Sequence, residues 1–248
     1  SPLPLGIAVQ KQGNSVNKVL HHLHRAVECD PKFSDAYVSL AREYKKEEDP
    51  SHYTKFIKKA ISIDKKLTRE LEKQQVDYAG QNLFGLVRKV FFLELEQKRH
   101  LSNLLIELGH FYFENGEIKR AQRIFEDAEM VDPLNADVYY YFGLVFLKRQ
   151  KYKNAHKSFI HCVERDIHHA GANLELGKHF QRTKDYHLAE VHFFCALETY
   201  PYEPVIHILI CKLCIKTNDL DSAKHHYESA LSIDASSKNR KLENILNI

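Results

Sequence analysis

Helix breakers are scarce in this sequence: its 248 residues include only 9 glycines and 7 prolines, which sets it apart from collagen-like and low-complexity chains. No apolar run is long enough to cross a membrane, and no stretch has the make-up of a signal peptide. The 5 cysteines are odd in number and lack framework spacing, which argues for a reducing compartment. H-E-x-x-H, a phosphate-cradling glycine loop and a nucleophile elbow are all missing, so neither an enzyme nor a cofactor is expected. A net charge of +3 falls short of the strong basic excess of a nucleic-acid module. The expected protein is therefore intracellular, cytoplasmic or nuclear, and off the membrane.

What the chain has is a pattern that returns every 34 residues. In the clearest copy, 102–135, it runs Leu105, Leu108, Gly109, Tyr112, Ala121, Phe125, Ala128, Pro133. The next places Tyr139, Phe142, Gly143, Phe146, Ala155, Phe159 and Cys162 at the same offsets. A third has Leu176, Gly177, Phe180, Ala189, Phe193, Ala196 and Pro201, and a fourth Ile210, Cys211, Cys214, Ala223, Tyr227 and Ala230. Repeat positions four, eight and eleven share one helical stripe, and the small Gly109, Gly143 and Gly177 let the following helix come close. Asn115-Gly116, Thr183-Lys184-Asp185 and Thr217-Asn218-Asp219 are the turns inside successive copies.

This set of residues resembles the tetratricopeptide repeat family, whose signature orders an aromatic, L-G, Tyr, Ala, Phe and Pro at such offsets. The aromatic that opens the motif is kept only at Tyr37 and Tyr139. The resemblance implies an all-α fold, a right-handed superhelical solenoid of antiparallel helix pairs. It also implies this organisation: an N-terminal segment and half repeat over 1–33, repeats at 34–67, 102–135, 136–169, 170–203 and 204–237, and a degenerate helix pair at 68–101. A capping helix closes the array at 238–248, with Leu242, Ile245, Leu246 and Ile248 on its apolar face and Ser236 and Ser237 as candidate caps. The half repeat and the Ser-Pro start read as an excised piece of a longer protein.

Within 66–101 the phase is kept but the signature fails, with Val87, Phe91 and Glu94 where Ala, Phe and Ala belong. The spacing predicts a long helix from about Asn82 to Gln97, apolar almost all round. Two readings stand: a distorted repeat buried between its neighbours, or a docking surface for another chain.

The family resemblance further implies that the first helix of each repeat lines a concave groove. Helical geometry puts positions two, five, nine and twelve on that side, with thirteen slightly further round. Position nine holds Arg42, His110, Leu144, Lys178 and Lys212, and position thirteen Lys46, Glu114, Lys148, Arg182 and Lys216. Position five adds Val38, Ile106, Tyr140, Leu174 and Ile208, and position twelve Lys45, Phe113, Leu147, Gln181 and Ile215. An apolar stripe beside a basic one suits a protein or peptide partner with hydrophobic anchors and acidic or phosphorylated neighbours.

RNA is the alternative partner, tracked by the same basic residues as in the interferon-induced members of the family. Few inward aromatics, chiefly Tyr140 and Phe113, are there to stack bases. The Lys and Asn pair with which chaperone-tail clamps hold a terminal carboxylate is absent from every copy. Self-association, through the C-terminal end or the Phe91-Phe92 region, is open. Cys211, Cys214 and His207 could share a helix face, but a zinc site wants more ligands, and packing is the better reading.

Overall fold

The computed structural model describes residues 18–81 and 83–248. The expectations for 1–17 and for Asn82 lie outside them. The described residues are α-helical, apart from turns and one 3-10 turn, and include no strand. They fall into two compact units, divided along the chain between Pro133 and Leu134.

The first unit contains α1 (helical residues 18–29), α2 (Ser34–Lys46), α3 (Pro50–Gly80), α4 (Phe84–Glu114) and α5 (Ile118–Val131). The second contains α6 (Ala136–Lys148), α7 (Tyr152–Arg165), α8 (Ala170–Thr183), α9 (Tyr186–Thr199), α10 (Pro204–Thr217) and α11 (Leu220–Ile233). A 3-10 turn (Ala235–Ser237) and α12 (Arg240–Leu246) end it. Consecutive helices pack as pairs, α2 on α3, α4 on α5, α6 on α7, α8 on α9 and α10 on α11.

Local chemistry explains the pairs. Each turn inside a pair has its fifteenth repeat residue in the left-handed region: Glu48, Gly116, Gln150, Lys184 and Asn218, with φ between 56° and 77°. Side chains then start the second helix, as Asp185 accepts from Leu188 N–H and Asp219 from Ser222 N–H. A Cβ on Gly109, Gly143 or Gly177 would come within 2.4 Å of the ring of Phe125, Phe159 or Phe193 respectively. Glycine is what lets each ring lie on its neighbour's backbone. Those phenylalanines, with Tyr53 and Tyr227, are buried.

The structure departs from the even 34-residue division at 68–101. No turn occurs at 67/68 or at 101/102; both positions lie inside helices of 31 residues, α3 and α4. Other copies break their second helix at Asp132-Pro133 or Tyr200-Pro201, whereas Asp64-Lys65 and Lys98-Arg99 at the matching places let the helix run on. Repeat 34–67 therefore packs directly on 102–135. Tyr53 meets Phe111 at 4.6 Å between ring centroids, and Arg42 reaches Glu107. Residues 68–101 extend both helices into a long hairpin. They are not buried between neighbours, since Val76, Phe84, Phe92 and Leu95 are exposed.

The C-terminal helix is capped by Asn239, which accepts from Lys241 and Leu242 N–H. Ser236 and Ser237 belong instead to the preceding 3-10 turn, because Asp234 takes Ser236 N–H and holds them there. Leu242 and Leu246 bury against Tyr227 and Cys211, while Ile245 and Ile248 stay exposed.

Candidate functional site

The first-helix faces are best taken one unit at a time. In the first unit the position-nine and position-thirteen residues carry carboxylates with them. Arg42 on α2 donates to Glu107 on α4 at 3.0 Å, Lys46 to Glu43 at 2.6 Å, and His110 lies 3.5 Å from Glu114. Phe113 is half-buried near the end of α4. The face is thus charge-balanced. Sequence periodicity singled out the basic positions and missed Glu43 and Glu107, which neutralise them.

In the second unit α6, α8 and α10 supply the face. Lys178 donates to Glu175 at 2.6 Å, one turn back on α8. Arg182 lies over the ring of Tyr152 on α7, 5.8 Å from its centre. Lys148, Lys212 and Lys216 are exposed and make no ion pair with any described residue. Leu144, Leu174 and Ile208 are half-buried beside them, the last two also packed into core clusters. Tyr140 is pinned: its ring lies 4.8 Å from that of His169, and a Cβ on Gly171 would come within 2.8 Å of it. It braces α6 against the start of α8.

Behind this face lies a stack of rings. His156 on α7 sits 4.2 Å from His179 on α8, and Phe180 lies 5.4 Å from His192 on α9, nearly parallel to it. His192 Nδ1 is 2.8 Å from Asn173 Oδ1. Burial pushes His156, His179 and His192 below the usual imidazole range, with His156 adding to the effect on the other two. Further along, His207 Nε2 donates to Pro201 O, which fixes its tautomer and makes its Nδ1 the acceptor for His226 Nδ1–H at 3.0 Å. Burial lowers His226 as well.

Cys211 and Cys214 sit on core-facing positions, and all five cysteines are free thiols. Burial pushes Cys162 up to about 12 and Cys211 up to about 11. Among the described residues no three His, Cys, Asp or Glu side chains converge as metal ligands, and no helix is long and apolar enough to cross a membrane.

The sequence profile of the tetratricopeptide repeat matches residues 207–237, which cover most of α10 and all of α11. The match identifies residues 207–237 as a tetratricopeptide repeat within an array of like helix pairs, and arrays of this kind serve in general as protein-interaction scaffolds. A tetratricopeptide repeat-containing protein of Schizosaccharomyces pombe is 28% identical over 101 residues. That stretch is 39% of this chain and 12% of the yeast protein, so the chain spans a small part of its relative. Among solved structures, PilF of Pseudomonas aeruginosa aligns with a TM-score of 0.65 at 18% identity, over 93% of this chain and 89% of that one. A chain of the APC/C hetero-tetramer Cut9-Hcn1 aligns at 0.51 and 14% identity, over 98% of this chain and 48% of its own length. At these identities the likeness is one of fold.

Proposed function

We propose that the chain is a non-catalytic scaffold that holds a peptide or helical segment of a protein partner on the first-helix face of its second unit. One observation carries this reading: Lys148, Lys212 and Lys216 project without carboxylate partners beside the half-buried Leu144, Leu174 and Ile208. Ammonium groups next to apolar side chains suit a ligand with hydrophobic anchors flanked by acidic or phosphorylated residues. Arg182 borders the same face, whereas Lys178, Arg42 and Lys46 pair with neighbouring carboxylates and contribute less.

The test is affinity capture with wild type beside a Lys212→Glu/Lys216→Glu variant of unchanged helix content. Partners retained by wild type and lost by the variant, with binding that weakens only modestly between 50 and 200 mM salt, support the reading. Capture that ignores the reversal removes it. RNA held by the same three lysines would lose affinity roughly 20- to 40-fold over that salt range, and that steeper dependence would replace the peptide with a nucleic acid.

A further inference from the structure

The hairpin formed by the distal halves of α3 and α4 creates a second surface, with chemistry opposite to that of the lysine face. At its base is a groove of about 550 Å³ between the turn before α2 and the first turn of α2 (Lys32, Phe33, Asp35), α3 (Asp64, Leu67, Leu71) and α4 (Leu93, Glu96, His100). Every lining residue belongs to the first unit.

Two properties set this groove apart from ordinary surface. First, its walls are apolar and open: Phe33, Leu67 and Leu93 are 47%, 41% and 45% exposed, and Leu71 lies one turn beyond Leu67 on α3. Leu86, also exposed, continues the Leu93 row two turns further along α4. Second, its charge is acidic. Two exposed carboxylates, Asp35 and Glu96, stand beside one lysine, Lys32, and a third, Asp64, is buried behind them. Asp64 is 2% exposed, its side chain held 2.9 Å from His100 Nδ1, while His100 Nε2 points to Asp35 at 3.7 Å. An aspartate at the place of the turn residues Asp132, Asp166 and Asp234 is thus drawn into a continuous helix and buried beneath the groove.

We propose that this groove binds a segment of a protein partner that presents two or more spaced apolar side chains and an arginine or lysine. The apolar side chains lie against Leu67, Leu71, Leu93 and Phe33. The cation pairs with Asp35, 70% exposed at its side chain, and with the exposed Glu96. The excess of carboxylates over lysine selects the sign of the ligand, and the exposed leucines supply the area. The occupant is therefore of the opposite charge to that expected on the lysine face, so the two surfaces are separable by experiment.

The test is selection of a random 12-residue peptide library on the whole chain, followed by affinity measurement of the enriched peptides. Peptides that pair Leu, Ile or Phe with Arg or Lys should emerge, bind wild type, and lose at least tenfold in affinity to Asp35→Lys/Glu96→Lys and to Leu93→Glu. They should bind Lys212→Glu/Lys216→Glu as wild type does. The changed residues are exposed, and helix content checks each variant; Asp35→Asn/Glu96→Gln, which keeps size and removes charge, serves if a reversal unfolds. Enrichment of acidic peptides, the absence of enrichment, or affinity indifferent to the groove substitutions overturns the proposal. A wild-type dimer that Leu93→Glu dissociates overturns it too, by assigning the groove to a second copy of the chain.

Discussion

Arg42 on α2 and Glu107 on α4 join two repeats that are 68 residues apart in the repeat count, with the guanidinium 3.0 Å from the carboxylate. The contact exists because the intervening copy is not stacked between them. The arginine side chain is 59% exposed, so the pair is expected to couple by about 0.2 to 1 kcal/mol in a double-mutant cycle with Arg42→Ala and Glu107→Ala. Coupling well above that would mean the pair is shielded from solvent. Thermal or urea unfolding reads it out.

Gly143 and Phe159 are predicted to be strongly coupled. Gly143→Ala drives a methyl group to 2.3 Å from the ring and should cost about 1 to 3 kcal/mol; Phe159→Ala leaves a cavity and should cost about 3 to 5 kcal/mol. Together they should cost less than their sum, since the smaller side chain frees space for the methyl. Urea unfolding of the two single variants and the double variant decides it.

The left-handed residues at the turns give a stabilising prediction. Gln150 and Lys184 adopt φ of 57° and 65°, where Gly116 occupies the same place at 77°. Gln150→Gly should raise stability by up to about 1 kcal/mol, relief of strain exceeding the added freedom of the unfolded chain. Gly116→Ala should lower it by about 1 kcal/mol or more. Both are read as shifts in the melting temperature.

Acid should weaken the second unit. His156, His179, His192 and His226 are all lowered from the ordinary value of 6.5 by burial. The unfolded chain therefore takes up their protons at higher pH than the folded one. Their contribution is complete above about pH 6.5 and is lost as pH falls through the lower folded values. Hydrogen exchange at pH 7.5 and 5.5 should show protection dropping in α7 to α11. His156 Nδ1 is buried without a partner, so His156→Phe should reduce the pH dependence without loss of stability at neutral pH.

Thiol reactivity should be graded. Cys29 is exposed, whereas burial holds Cys162 and Cys211 near 12 and 11. A disulfide reagent at pH 8 should modify Cys29 first and reach Cys162 only when the chain unfolds. Equal rates at both would contradict the packing of α7.

Much of this architecture was legible in the sequence. Glycine at position eight and phenylalanine at position twenty-four predicted the close helix approach that Gly143 and Phe159 display. Asn115-Gly116 and Thr217-Asn218 marked turns that are present. The phase of 34 residues misled at 68–101, because phase counts residues and not turns; it took the absence of Pro or Gly near Lys65 and Arg99 to show that two helices run on. On the lysine faces periodicity found the cations, but their pairing with Glu107 depends on a repeat 68 residues away. His100 and Asp64 were unreadable together for the same reason, lying 36 residues apart and meeting only across the antiparallel pair.

The hairpin of α3 and α4 lengthens both helices by the same amount, so the seam between repeats 34–67 and 102–135 closes whether the excursion is long or short. A deletion of about 34 residues that rejoins α3 to α4 through a tight turn would remove the acidic groove and leave Arg42 facing Glu107. The chain thus carries an appendage whose reach evolution or an engineer can adjust without redrawing the stack beneath it.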